Sequence, residues 1–377
     1  LVAEIATAID FTAGGSVQLL SGYRGAGKTT ELLRLKRELD REVYLPVYFD
    51  IEDYFNPELP LEAATFLVGL AAGFVDNCEE IDGLKQSLYR RVQTFFQRLD
   101  IDAELSASVS GGPASLDLRA RFRDDESFRA QVKAALDSNR KTFKEEMHAF
   151  FNDLANSLPG NKTPVFIVDS IDHYRGRSST FDEVRDSVEA LFSHYASELA
   201  LPGMHVVYTV PVYVKPTGWG GEVWPVLNVK VRERTGEDCQ EGIDLLRQVL
   251  AQRAPNGDVE RLLGAETDRV IRASGGLFRD LFRLVAGLLL KNGPLPVRPE
   301  DVDQVERQQR SQAVVGLTQE QWEILRQVKE TQQLIVPREL TSEAWTLQAL
   351  GYVLCYRNGT VDWWGVNPLL EPLLDED

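Results

Sequence analysis

Apolar positions along this chain recur with two different periods, and the change from one to the other divides it into elements. "SVQLLSG" (16–22) is a short apolar run bounded by glycines and predicts a buried strand. Leu32, Leu35 and Leu39 then recur at helical spacing and predict a helix directly after it. "EVYLPVYFDIEDY" (42–54) predicts a second strand, with helices near 60–76 and 80–99. "TPVFIVDSIDHY" (163–174) and "MHVVYTVP" (204–211) are β-branched and aromatic runs of central-strand type, with a helix near 181–199 between them. "VLNVKV" (226–231) is expected to complete the sheet. Strands alternating with helices predict a parallel α/β sheet whose ligand edge lies at the strands' carboxyl ends.

Between about 77 and 160 the pattern changes. Ile101, Ala103, Leu105, Ala107 and Val109 alternate with polar residues, as do Leu116, Leu118, Ala120 and Phe122 beyond "SGGP". That alternation predicts a β-hairpin over 101–122. A long amphipathic helix is expected from about 125 to 157, with Phe128, Val132, Leu136, Phe143, Met147, Phe151 and Leu154 on its apolar face. The segment 236–312 reads as all helical. From 317 the order becomes helix, helix and two strands around Asn358-Gly359, the pattern of a winged helix. The division expected is a core over 1–235 carrying the 77–160 insertion, a helical lid over 236–312 and a winged-helix domain over 313–377.

At 377 residues and 43% hydrophobic, the chain can bury the cores of two or three domains. A formal charge of −17 argues against a general nucleic-acid or membrane-surface binder. Cys78, Cys239 and Cys355 stand far apart without a Cys-x-x-Cys pair, so they read as reduced thiols in a cytoplasmic protein. No apolar run reaches membrane-spanning length and no signal peptide is visible. The sequence starts at Leu1 and not at Met, which leaves open a preceding segment.

"GYRGAGKTT" (22–30) carries the candidate chemistry. Gly22, four residues and then Gly27-Lys28-Thr29 have the spacing of a phosphate-binding loop, here between a predicted strand and a predicted helix. Gly22, Gly25 and Gly27 allow the backbone N–H groups of the loop, including those of Tyr23, Arg24 and Ala26, to wrap a phosphate chain. Lys28, expected to be exposed, would reach the β- and γ-phosphates of ATP or ADP, the Thr29 hydroxyl would sit on Mg²⁺, and Thr30 is a further candidate nucleotide-binding residue. Asp169, ending the "VFIVD" strand, is the second candidate Mg²⁺ anchor. Asp172 is either the carboxylate that polarises the attacking water or a cap for its turn. Arg279 follows Gly275-Gly276 in the first turn of a helix. It is either a γ-phosphate sensor or a surface residue paired with Asp280; Arg283 is its fallback. Arg175 and Arg177 are candidate fingers acting on a neighbouring subunit. Trp363 and Trp364 read as core or interface.

In this order, the phosphate loop, the Asp-x-x-Asp strand (169–172), the "YTVP" strand, the Gly-x-x-Arg helix and the terminal winged helix resemble the AAA+/STAND group of P-loop ATPases. "DSID" is closest to the NACHT-like form, and Thr209 occupies the sensor-1 place. The resemblance implies a P-loop NTPase core with helical lid and winged helix, and slow Mg²⁺-dependent ATP hydrolysis. It also implies a switch that signals through a protein effector or sensor, forms a homo-oligomer with ATP and serves in defence, including antiviral defence. The alternatives are a DNA-binding initiator or loader and an ATP-binding scaffold without turnover. "TSEAWTLQAL" (341–350) contains no Lys or Arg, which disfavours the initiator.

Overall fold

The computed structural model describes residues 1–78, 85–99, 114–174, 176, 180–216, 219, 222–291 and 293–375. They form two compact units. The first is Leu1–Ser21 with Lys28–Pro225, and the second is Gly22–Gly27 with Val226–Asp377.

The chain opens with α1 (Val2–Asp10), β1 (Val17–Gly22), α2 (Lys28–Glu38), β2 (Tyr44–Asp50) and α3 (Ala63–Asn77). Next come α4 (Lys85–Arg98), α5 (Ala114–Asp124), α6 (Glu126–Ser138) and α7 (Arg140–Ser157). The rest of the first unit is β3 (Thr163–Asp169), α8 (Phe181–Ser193), β4 (His205–Pro211) and most of β5 (Val223–Val226). Five strands lie in the order β2-β3-β4-β1-β5, and β2/β3 and β3/β4 pair in parallel. All seven residues of β4 and six of the seven in β3 are buried. Helices cover both faces of such strands, so they read as unbroken apolar runs. This is the α/β fold of the P-loop NTPases: a parallel sheet with its glycine loop between the first strand and the following helix.

Residues 114–124 form α5, so the second arm of the expected 101–122 hairpin is a helix; its first arm lies outside the described residues. Leu118 and Phe122 stand four apart, and over so short a stretch even spacings satisfy both periods; Phe122 is buried among Tyr54, Phe55 and Phe128. The long 125–157 helix is two helices. Asn139 breaks it at φ −159° and caps α7 by accepting from the Thr142 N–H at 3.1 Å. The fifth strand is Val223–Val226, not 226–231, and the chain leaves the sheet where "VLNVKV" was expected to enter it.

In the second unit, α9 (Gln240–Arg253), α10 (Val259–Leu263), α11 (Thr267–Ala273), α12 (Phe278–Leu289) and α13 (Pro299–Ala313) surround a core that includes Ile243, Leu246, Ile271, Leu281 and Leu284. Then α14 (Gln319–Thr331), α15 (Thr341–Leu350) and the antiparallel pair β6 (Val353–Asn358) and β7 (Val361–Val366) close on Ile324, Leu325, Leu347 and Val353. A reciprocal capping box between Thr318 and Gln321 starts α14. Trp363 is buried and stacked on Tyr356 at 4.7 Å, a core residue as expected. Cys78, Cys239 and Cys355 are buried and stand outside any disulfide. Among the described residues, no helix is long and apolar enough to cross a membrane.

Candidate phosphate-binding and hydrolysis site

The glycine loop follows β1 directly. Gly25 at φ +84° and Gly27 at φ +100° take backbone conformations that suit only glycine, and the Ala26 N–H closes the turn on the Tyr23 carbonyl at 3.1 Å. Tyr23 and Ala26 are buried and Arg24 is half-buried. The loop ends where α2 begins at Lys28, so a helix N-terminus with its orphan N–H groups follows the glycines. Thr29 and Thr30, in the first turn, are exposed.

Lys28 is not exposed as the sequence suggested. Its side chain is 3% exposed and its ammonium lies 2.9 Å from the Asp172 carboxylate, itself 4% exposed. The reason lies in the neighbouring strand. β3 ends at Asp169, Ser170 turns the chain at φ +71°, and the short 3₁₀ turn Ile171–His173 carries Asp172 back to Lys28. Asp172 therefore serves as the counter-ion of the loop lysine and not as a turn cap. His173 stands beside it, with Nδ1 on Glu52 at 2.8 Å and Nε2 3.9 Å from Asp172.

Asp169 is 1% exposed and accepts one hydrogen bond on each oxygen, from the Tyr48 hydroxyl at 2.8 Å and from the Ser170 N–H at 2.7 Å. The parallel register places Asp50 opposite it. Burial raises the Asp50 carboxyl above its usual range, opposed by hydrogen bonds from the Ser170 hydroxyl and Glu52 N–H. Burial, with the Asp169 charge second, likewise raises the Tyr48 phenol, so Tyr48 stays a neutral donor. Thr209 is fully buried and accepts the Ile171 N–H at 3.0 Å, bracing the turn that holds Asp172. Tyr48, Asp50 and His173 escaped the sequence reading, although the first two stand in the "VYFD" strand end.

The donor set suits a hard cation. Each Asp169 oxygen keeps a lone pair beyond those used by Tyr48 and Ser170, which suits a metal-bound water, and Thr29 is an exposed hydroxyl of the kind such a cation takes as ligand. Among the described residues no group of three or more His, Cys, Asp and Glu is placed to hold a metal alone. A cation here would take its remaining ligands from water and phosphate.

In the second unit, Arg279 sits in the first turn of α12. Its N–H lies 3.4 Å from the Gly25 carbonyl, and a Cβ on Gly25 would collide with the Cβ of Arg279. Phe278 packs beside Gly27. Gly275 (φ +60°) and Gly276 (φ +82°) permit this approach, and the Val229 carbonyl leaves no room for a side chain on Gly276. The Arg279 side chain is 32% exposed and its guanidinium lies 3.3 Å from the buried Asp280, with Arg283 on the same oxygen at 3.4 Å. Both readings of Arg279 thus have a basis: it pairs with Asp280, and it lies against the phosphate loop. Arg175 and Arg177 fall outside the described residues.

No protein-family model matches this chain, and no curated protein does. Solved structures do align along its length. A Walker-type ATPase of Pyrococcus abyssi is 12% identical, with TM-score 0.47 over 99% of this chain and 94% of that one. The ORC2 protein of Aeropyrum pernix, in ADPNP–ADP complexes, is 14% identical, with TM-score 0.36 over 98% and 90%. Cdc6p of Pyrobaculum aerophilum is 14% identical, with TM-score 0.36 over 99% and 90%. At this distance the function has to rest on the chain's own loop, ion pair and strand-end carboxylates.

Proposed function

We propose that this chain is a P-loop ATPase that binds ATP or ADP with Mg²⁺ and uses hydrolysis to change conformation. The observation that carries the reading is the Lys28–Asp172 pair: a lysine that ends a glycine loop, buried on a carboxylate three residues beyond a strand-end aspartate. On nucleotide binding Lys28 exchanges Asp172 for the phosphates, and the loop N–H groups take the remaining negative charge. The released Asp172 then accepts a hydrogen bond from the attacking water and orients it. Thr29 and Asp169 would hold Mg²⁺, which neutralises phosphate charge when bound. Arg279 reports the γ-phosphate to α12.

The finer reading is a slow switch that oligomerises with ATP and acts on protein partners, as in defence. Its rival is a DNA-binding initiator. The neighbours named ORC2 and Cdc6p make the rival at least as well supported, while the lack of Lys and Arg in α15 speaks against it. Phosphate release with and without Mg²⁺, for wild type and Lys28→Ala, tests the ATPase. Sizing with ADP and a non-hydrolysable ATP analogue, in parallel with a duplex-DNA titration at physiological salt, separates the two finer readings. Equal turnover in Lys28→Ala would remove the reading altogether.

A further inference from the structure

The ATPase reading leaves open which base the site takes, and one buried side chain bears on it. Asn228 is 7% exposed, and neither its amide nitrogen nor its amide oxygen has a hydrogen-bond partner among the described residues. Buried amides are nearly always satisfied, so two orphan atoms on one side chain call for a partner from outside the chain.

Its place in the fold is informative. Leu19 bonds Glu222 while Gly22 packs against Val226, so β5 runs in the same direction as β1 beside it. Asn228 follows the carboxyl end of β5 by two residues, within about 7 Å of Val226 along the chain. Val226 covers Gly22, the first glycine of the loop. On its other side, the Val229 N–H bonds the Gly276 carbonyl at 3.2 Å, at the turn that leads into Arg279. Along the chain Asn228 therefore stands between a residue packed on the start of the phosphate loop and one bonded to the turn that leads into α12, all within the second unit.

We infer that Asn228 reads the nucleotide base and selects adenine. A carboxamide matches the adenine edge in both senses: Oδ1 accepts from the N6 amino group while Nδ2 donates to N7. Guanine offers an acceptor, O6, where adenine has its amino donor, so Oδ1 would face a lone pair and lose its partner. This inference rests on the ATPase reading and adds the identity of the base.

The test is a titration of the whole chain with ribose-labelled fluorescent ATP and GTP, with unlabelled 7-deaza-ATP as competitor, for wild type, Asn228→Leu and Asn228→Ala. Wild type should prefer ATP over GTP by roughly tenfold or more, and 7-deaza-ATP, which lacks the N7 acceptor, should compete several-fold less well than ATP. Either variant should bring the ATP and GTP affinities to within about twofold, mainly by weakening ATP. Asn228→Leu should also melt no lower than wild type without nucleotide, because it deletes two unsatisfied polar atoms. A buried water as partner would serve every nucleotide alike. Wild type that binds ATP, GTP and 7-deaza-ATP equally, or variants that keep the ATP preference, would therefore overturn the inference and leave the ATPase intact. Wild type that binds no nucleotide would instead overturn the ATPase reading, and this inference with it.

Discussion

Lys28→Ala perturbs more than nucleotide binding. Lys28 is the counter-ion of Asp172 at 2.9 Å, with both side chains at least 96% buried. The gross attraction at that distance is about 6 kcal/mol for an effective dielectric near 20. The desolvation of two charges offsets most of it, so the intact pair adds little net stability. Removing one partner is different, because Asp172 would stay buried with its charge uncompensated, a loss of about 3–5 kcal/mol. For a domain of roughly 150–250 residues that corresponds to about 6–20 °C in Tm. Lys28→Ala should therefore melt well below wild type and bind no ATP. Adding Asp172→Ala removes the stranded charge and should recover most of the melting temperature without restoring ATP binding. Differential scanning fluorimetry of the wild type, both single variants and the double variant, with and without Mg²⁺–ATP, reads all of this. A Lys28→Ala protein as stable as wild type, or a double variant no more stable than the single, would refute a buried coupled pair.

Three further outcomes follow from the same geometry. Asp172→Asn should bind ATP at least as tightly as wild type, because Lys28 no longer has to leave a carboxylate, yet release phosphate more slowly; equal turnover would return Asp172 to a counter-ion role only. Arg279→Ala should bind ADP normally and lose the ATP-dependent change in size or protease sensitivity, a coupling of about 1–3 kcal/mol; an unchanged ATP response would make Arg279 a partner of Asp280 alone. His205 is buried with Nδ1 on Ser16 at 2.9 Å, and burial, opposed by Asp10, holds its imidazole below the usual range. A folded pKa below the unfolded one gives stability that is present above about pH 6.5 and lost as pH falls through the folded value. Melts at pH 7.5 and 5.5 should accordingly show less acid sensitivity in His205→Gln than in wild type.

The sequence by itself determined the elements whose signal is local. A glycine loop between a strand and a helix needs only neighbours in the chain, so residues 22–30 were legible from spacing. The strands Thr163–Asp169 and His205–Pro211 were legible because burial on both faces demands an unbroken apolar run. The helix–helix–hairpin order after 317 was legible from changes of period. Where two periods coincide, as in "SLDLRARF", the sequence could not choose, and the aromatic cluster around Phe122 decided for a helix. Asn139 was equally ambiguous, since an asparagine can ride on a helix surface or cap the next one. The electrostatics of the site belonged wholly to the tertiary structure. Nothing near Lys28 in sequence shows that Asp172 neutralises it, or that Tyr48 and Asp50 meet Asp169. Those pairings depend on the register of β2 against β3 and on the turn at Ser170, which bring groups 121 and 144 residues apart to one strand edge. A charge pattern in the chain says which ions are present; only the fold says which of them are removed from water together.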